Sequence, residues 1–408
     1  MTRALDRPVT LVIALTINNG AILGYHMVTS RVLGPSRYGA VGAVLALTAL
    51  VQVGTGAVQT AVTHAIASAG GAGPWLIGVP QRRMVGAAAA FVIVGAVLAP
   101  GVQRYLHLGS AVPIAAMLAF GAFVIVGLIP RGVLLGERRF GLVAAATVSG
   151  AILRLSIGTV AASWFGVNGA VAAVAGGEAV AAAIVVVGVA RRGTALQATP
   201  RPLVLGRSAL GLAIAAYAGL WLFTGTDVFL ARHLLASRSA GLYVAASTAA
   251  SAALFLPYNV TSAAFPGIAA EAAAGTATTF LRSVRLVAVL IVGAALVLMV
   301  VPNLAIAVLF GHSYRGAGAI LVLLAVSNGA QGAIGFFQLH QLAHHRITAL
   351  IPWLGLVALA FAADISHRGP TRIATEALIT SVAVLVMMAS YSWRLEAQAR
   401  SAAADRDR

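Results

Sequence analysis

The amino-acid composition excludes a soluble globular protein. The 408 residues are 60% hydrophobic and only 9% charged, with a mean hydropathy of +0.95, whereas about a quarter of the residues in a soluble domain are charged. All 27 basic residues are arginine, and the net charge is +17. Such a charge could indicate nucleic acid, but arginine also marks the cytoplasmic loops of membrane proteins. We therefore predict an all-α polytopic membrane protein; without cysteine, the sequence says nothing about disulfides.

Apolar segments follow one another along the chain, each long enough to cross the hydrocarbon core as a helix. The first segment begins like a signal peptide, but it is long and no small-residue cleavage site follows, so we expect it to be retained. Twelve spans are predicted, at residues 9–30, 39–68, 84–105, 110–136, 140–164, 167–190, 207–231, 240–268, 281–310, 316–343, 346–363 and 371–393.

The arginines are distributed unevenly between the two sides of this layout. The side that holds both termini carries 17 of them, the opposite side carries 8, and Arg131 and Arg154 fall within spans. Because arginine accumulates in cytoplasmic loops, we expect both termini in the cytoplasm.

The chain divides near its middle into two groups of six spans. We predict an N-terminal bundle at 1–190, a basic linker at 191–206, a C-terminal bundle at 207–393 and a cytoplasmic tail at 394–408. The segment RVLGPSRYGAVGA (31–43) is echoed 202 residues later by RHLLASRSAGLYVA (232–245). Because each half has an even number of spans, the halves share one orientation, and such parallel repeats typically place a substrate site between them.

Ionisable side chains occur within several spans, where they are costly and therefore indicate function by default. The alternative is structural pairing, for example of Arg154 with Glu178 on adjacent helices. The residues of this kind are Arg31 at the end of the first span, Arg131, Arg154, Glu178, Asp227 and Glu376.

Uncharged polar residues recur on single faces of three spans. On the first span Asn19 and His26 are seven residues apart. Such stripes favour a polar ligand or water, although hydrogen bonds between helices are the alternative, particularly for single Ser or Thr residues. The second span carries Thr48, Gln52, Thr55, Gln59 and Thr63, and the eighth carries Ser247, Ser251, Tyr258 and Ser262, beside Asn259.

The segment HQLAHH places His340 and His344 one helical turn apart, followed by His345. This spacing can bind zinc, but the glutamate of a metalloprotease helix is missing. We expect an interfacial role here and predict no metal site. The sequence likewise contains no nucleophile elbow and no phosphate-cradling loop, so we predict a protein that is not an enzyme and has no catalytic residues.

Four ordered segments resemble polysaccharide-export flippases of the multidrug/oligosaccharidyl-lipid/polysaccharide (MOP) exporter superfamily, including O-antigen flippases. They are RVLGPSRYGAVGAVLAL between the first two helices, GVLLGERRFG closing the fourth, TDVFLARHLLASRSAGLYVAAS from the seventh, and VLFGHSYRGAGAILVLLA entering the tenth. The resemblance implies a MATE-like fold of two six-helix bundles that work by alternating access. It also implies that the substrate is an undecaprenyl-pyrophosphate-linked oligosaccharide. This substrate would be moved to the outer leaflet of a bacterial plasma membrane for cell-surface polysaccharide biosynthesis. Some members of the family couple transport to protons or sodium ions. Members of the family frequently have fourteen spans, whereas twelve are predicted here. The smaller number disfavours the lipid II flippase group, which usually has the two additional helices.

This substrate suggests roles for the polar residues. Arginine binds phosphate bidentately, so we assign Arg31, Arg131 and Arg154 to the pyrophosphate. Sugar contacts are predicted for Asn19, His26, Gln52, Gln59, Tyr258 and Asn259, and ion coupling for Asp227, Glu178 and Glu376. No cofactor is expected, and glycosyltransferases or a polymerase of the same pathway are the expected protein partners.

Three other functions remain open. A cation-coupled drug antiporter of the same superfamily would prefer acidic residues in its cavity, whereas arginines accompany the acids here. A membrane glycosyltransferase or polymerase would need loop carboxylates, and Asp364 stands nearly alone on its side. A scaffold without transport activity would have little use for charges at depth.

Overall fold

The computed structural model describes residues 8–48, 51, 58–59, 62–63, 66, 75–191, 207–252, 278–344, 346–366 and 369–406. Within these ranges every regular element is a helix and none is a strand. The chain forms two compact units, Met1–Gly206 and Arg207–Arg408. The boundary between the units falls at the end of the predicted linker.

The first unit contains four long helices in the described part of the chain. Helix α4 packs against α1 and α3, and α3 packs against α2. Helix α2 begins nine residues before the predicted start of its span, while α3 matches the predicted span 110–136 closely. The helices are α1 (Pro8–Ala46), α2 (Trp75–Tyr105), α3 (Val112–Gly136) and α4 (Phe140–Ala190).

Helices α1 and α4 each consist of two segments joined at a glycine. Gly34 in α1 has φ 67°, and Gly166 in α4 has φ 61°, a left-handed conformation that residues with a side chain rarely adopt. Pro35 follows Gly34 and opens the next segment, because proline suits the first turn of a helix. A straight helix of 51 residues would extend about 76 Å, more than twice the hydrocarbon core. The break at Gly166 instead separates the predicted spans 140–164 and 167–190.

The two segments of α4 pack against each other as an antiparallel hairpin. Gly150 lies against Gly177, and Gly158 lies against Ala173, so contacts pair symmetrically about Gly166. A Cβ added at Gly177 would lie 2.6 Å from the carbonyl oxygen of Gly150. Small residues are therefore required where the two backbones meet, as is common between membrane helices.

Alanine at Gly177 is expected to destabilise the hairpin, because its methyl group would press on the Gly150 carbonyl. Gly176 is the matched control, since a Cβ there meets nothing within 4 Å. Both substitutions gain the same helix propensity, so the difference between Gly177→Ala and Gly176→Ala isolates an overpacking cost of about 1–3 kcal/mol. Thermal unfolding in detergent measures this difference, and equal melting temperatures would contradict the close packing.

The second unit is organised around α9 in the described part of the chain. This helix packs against α6, α7, α8 and α11, and α10 packs against α5 and α11. Two-thirds of the most apolar window of α9 is buried. The helices are α5 (Arg207–Leu234), α6 (Ser237–Ala252), α7 (Thr278–Val300), α8 (Pro302–Leu309), α9 (Ala317–Ala343), α10 (Pro352–Ser366) and α11 (Pro370–Arg406).

Two predicted spans of the second unit have different ends in the structure. The span predicted at 281–310 is interrupted at Val301, and Pro302 begins α8, because proline lacks the amide hydrogen that a continuing helix needs. Helix α11 does not end at residue 393 but continues to Arg406. The residues from 394 to 406, which were predicted to form a tail, thus belong to this helix.

Nine of the described helices are long and apolar enough to cross a membrane. Twelve spans were predicted. The number differs because α4 holds two of them, and because about half of the second span and more than half of the eighth lie outside the described residues. Helices α2 and α7 leave large apolar side chains exposed, including Val97 at 74% and Val289 at 69%. Apolar surface of this kind suits lipid rather than water, so the chain is a multi-pass membrane protein.

Both units open with the same local construction. The first helical pair breaks at Gly34, and the equivalent break between α5 and α6 lies at residues 235–236, about 202 residues later. A buried or half-buried polar pair bridges each break. His26 Nδ1 lies 2.9 Å from the Tyr38 hydroxyl in the first unit, and the Tyr243 hydroxyl donates to Asp227 over 3.0 Å in the second. The two breaks thus lie at the spacing of the sequence echo, whereas the two bridging pairs occupy different positions within their units.

Candidate functional site

A polar cluster in the first unit joins α1 to the first segment of α4. Arg154 Nη2 donates to Asn18 Oδ1 over 3.2 Å. Arg154 lies between Phe140, where α4 begins, and Gly166, where the segment ends. At 1.5 Å per residue this places it about 20 Å from either end, near the middle of a segment within a helix apolar enough to cross a membrane. A guanidinium at that depth is costly and indicates function.

A salt bridge lies beside this cluster. Arg131 Nη2 on α3 lies 3.1 Å from Glu178 Oε1 on the second segment of α4, and the two side chains are 22% and 18% exposed. The sequence suggested Arg154 as the partner of Glu178; that pairing is wrong, because α3 brings Arg131 closer. Arg154 interacts with Glu178 only electrostatically. Within the described residues, Arg154 is thus held by a neutral amide and forms no ion pair.

Both guanidinium groups retain unused donors. The Nε atoms of Arg131 and Arg154 are buried and have no hydrogen-bond partner among the described residues. Buried donors normally find a partner. The cluster therefore has capacity to bind a further acceptor, such as a phosphate oxygen.

The other sequence-predicted residues of α1 have separate surroundings. Asn19 and His26 are half-buried, and the His26 ring is engaged with Tyr38, whereas Arg31 is exposed. Asn18 was missed because its neighbour Asn19 matched the spacing to His26. The available signal was the spacing of Asn18 from Tyr25, which is buried and donates its hydroxyl to Ala170 O over 2.8 Å.

The described members of the predicted stripe on the second span contact protein. The Thr48 hydroxyl lies 2.6 Å from Leu45 O, and the Thr63 hydroxyl lies 2.9 Å from Gln59 O and 3.2 Å from Gly132 O on α3. Thr63 therefore supports helix packing. Gln59 is half-buried, and the predicted sugar contacts Gln52, Tyr258 and Asn259 lie outside the described residues, as does Thr55.

An acidic site lies in the second unit. Asp227 on α5 is 1% exposed, and its Oδ2 accepts a hydrogen bond from the Tyr243 hydroxyl on α6 over 3.0 Å. Oδ1 is also buried, without a hydrogen-bond partner in the described part of the chain. Glu376 on α11 interacts electrostatically with Tyr243 and forms a 3.4 Å salt bridge with Arg372. Two of the three acids predicted for ion coupling, Asp227 and Glu376, thus share Tyr243 as a neighbour, and no role was predicted for Tyr243. The third acid, Glu178, is paired with Arg131 in the first unit.

A buried amide and hydroxyl network extends along α9. Gln331 donates to Ser381 over 3.2 Å, Ser327 lies 3.1 Å from the same hydroxyl, and Asn328 donates to Ser251 over 3.0 Å. These bonds connect α9 with α11 and α6. This network was not predicted from the sequence, although Ser327 and Gln331 are four residues apart and share a helix face. Ser251, which was predicted on the polar face of the eighth span, accepts this hydrogen bond from Asn328 on α9.

Known proteins resemble this chain in structure. An inward-facing multidrug resistance MATE family transporter of the MOP superfamily matches with a TM-score of 0.70 and 14% identity, over 96% of this chain and 99% of that chain. The lipid II flippase MurJ in an inward closed conformation matches with a TM-score of 0.68 and 11% identity, over 93% of this chain and 86% of that chain.

A third similar structure is a MOP superfamily transporter from Pyrococcus furiosus, described as having a binding pocket of reversed polarity that suggests a different function. It matches with a TM-score of 0.65 and 13% identity, over 97% of this chain and 96% of that chain. No protein-family model and no curated protein sequence matches the chain. At these identities the similarity establishes a fold shared with MOP-superfamily transporters.

Proposed function

We propose that this protein is a flippase that moves an undecaprenyl-pyrophosphate-linked oligosaccharide from the inner to the outer leaflet of a bacterial plasma membrane. The fold supports transport, since the matched structures include a MATE transporter and the lipid II flippase MurJ. The observation that carries the choice of substrate is Arg154, a guanidinium near the middle of an apolar helical segment that forms no ion pair among the described residues.

The charges of the first unit favour an anion. Glu178 pairs with Arg131 and leaves Arg154 as the charge without a direct counterion. A pyrophosphate supplies that counterion, and its oxygens match the donors of an arginine side chain. The sugar hydroxyls need hydrogen bonds during passage, while the lipid tail can stay in the bilayer.

The second unit would supply the driving force. A buried carboxylate such as Asp227 has to be protonated, paired with a cation or hydrogen-bonded, and its Oδ1 has no hydrogen-bond partner in the described part of the chain. Binding of a proton or sodium ion at Asp227 would change the charge of this unit between the two states of an alternating-access cycle. Glu376 is the second acid for this role.

A cation-coupled drug antiporter is the second candidate function. It is favoured by the TM-score of 0.70 to the MATE transporter and by the buried acid Asp227. A cationic drug would, however, meet the uncompensated charge of Arg154 in the first unit. We therefore rank the drug antiporter below the flippase as a candidate function.

Reconstitution in liposomes distinguishes the two candidates. The inner leaflet would carry a fluorescent undecaprenyl-pyrophosphate-linked oligosaccharide, and its appearance outside would be followed by quenching from the outer solution. We expect faster exposure than in protein-free liposomes and no gradient-driven movement of the cationic dye ethidium. Dye transport without movement of the labelled lipid would replace the flippase with the antiporter.

A further inference from the structure

Two buried polar side chains meet at the C-terminal end of α9. His340 Nε2 lies 2.7 Å from Glu396 Oε1 on α11, and the side chains are 0% and 5% exposed. Glu396 lies beyond the last predicted span and was not singled out in the sequence. The continuation of α11 to Arg406 brings it against α9.

His344 adds a third donor one turn beyond His340. The two imidazole rings have centroids 4.7 Å apart, and one ligand atom from each of His340, His344 and Glu396 lies within 4.8 Å of the other two. We propose that these three side chains bind a zinc ion that joins α9 to α11. This proposal is independent of the transported substrate.

The donor set suits zinc. Two imidazoles and a carboxylate, with a water in the fourth position, form a common open zinc site. Metal–ligand bonds of about 2.0–2.2 Å at tetrahedral angles would hold two donors about 3.3–3.6 Å apart, so donors separated by up to 4.8 Å have to approach by about one ångström. His344 is half-buried at the helix end, and rotation of its side chain can supply this movement. Imidazole nitrogen disfavours magnesium and calcium, which prefer oxygen.

The hydrogen bond to Glu396 does not use all of the bonding capacity of His340. Its second ring nitrogen, Nδ1, is buried and lacks a hydrogen-bond partner among the described residues. A buried imidazole nitrogen normally has a partner. If His340 were only a structural residue bonded to Glu396, its Nδ1 would stay buried without a partner. A metal ion bound by the cluster would account for the burial of this ring.

Neighbouring contacts hold the donors in position. The Phe280 ring on α7 lies 4.2 Å from the His340 ring, between centroids, and Phe280 is 1% exposed. Gln341, the next residue on α9, donates to Met388 O over 3.0 Å and to the Ser392 hydroxyl over 3.2 Å on α11. The two helices are thus fixed beside the cluster, which lowers the ordering cost of binding a metal.

Zinc binding to the purified full-length chain tests the proposal. The protein is purified in detergent with an affinity tag that contains no histidine, and bound zinc is counted after equilibrium dialysis. We expect one zinc per chain in the wild type and an affinity at least tenfold lower in His344→Ala and Glu396→Gln. The wild-type melting temperature should rise with zinc, and that of His344→Ala should not.

His312→Ala is the matched control, because His312 is an exposed histidine of the same unit; it should keep the wild-type zinc content. Since Glu396 is buried, its variant can fail to fold, and the more accessible His344→Ala then decides the outcome. Wild-type protein without zinc, or His344→Ala that binds as much zinc as the wild type, would overturn the site. Equal uptake of magnesium would also overturn it, because that behaviour indicates a nonspecific cation.

Discussion

Replacement of Arg154 by alanine is expected to slow movement of the labelled oligosaccharide lipid about 10- to 100-fold, the loss of one charge-assisted hydrogen-bonded contact worth about 1.5–3 kcal/mol. Arg154 donates a hydrogen bond to Asn18 and has a buried Nε without a hydrogen-bond partner among the described residues. Alanine removes both the charge and these donors. The rate of quenching in proteoliposomes, at matched protein content, measures the effect.

Two further variants separate charge, geometry and general damage. Arg154→Lys keeps the charge but loses the planar fork that binds phosphate bidentately, so we expect partial activity. Arg37→Ala removes an exposed arginine near the turn at Gly34 and should leave the rate within about twofold, as expected of a surface charge. Full activity of a well-folded Arg154→Ala would remove this residue from substrate binding and would remove the main support for an anionic substrate.

Replacement of Asp227 by asparagine is expected to abolish the acceleration of transport by an imposed ion gradient. Asparagine has the same shape and still accepts the hydrogen bond of Tyr243, but it neither releases a proton nor neutralises a sodium ion. We expect gradient stimulation to fall at least tenfold, with protein stability largely kept. The measurement compares proteoliposomes with and without a sodium or proton gradient.

Asp364→Asn is the control for Asp227, because Asp364 is an exposed acid near the end of α10; its stimulation should equal that of the wild type. Tyr243→Phe removes the hydroxyl that donates to Asp227 and should alter the ion dependence without abolishing transport. Unchanged stimulation of Asp227→Asn by both gradients would exclude this carboxylate from coupling and leave Glu376 as the acid to examine.

Local sequence features were sufficient to predict most helices. The predicted spans 110–136 and 316–343 agree with Val112–Gly136 and Ala317–Ala343 to within two residues. The turn in RVLGPSRYGAVGA was also readable, and the structure places it at Gly34. These features depend on hydrophobicity over about twenty residues and on the conformations that glycine and proline permit, which are properties of neighbouring residues.

Partners across helices could not be read in the same way. The arginine partner of Glu178 is determined by how closely α3 and the two segments of α4 approach one another. In the folded chain Arg131, and not Arg154, forms the salt bridge. Successive helix residues point about 100° apart, so a shift of one position was enough to make Asn18 rather than Asn19 the contact of Arg154.

The sequence by itself thus determined a multi-pass helical membrane protein and identified charged residues that lie within apolar helices. Only the tertiary structure decided which of those charges are paired. It also brought Tyr243 to Asp227 and joined Glu396 to His340 across α9 and α11. The physical reason is that a charged side chain in a membrane is costly wherever it occurs, so such residues can be recognised in the sequence. Which side chain pairs with each charge depends on distances of a few ångströms between helices, and these are set by the tertiary structure.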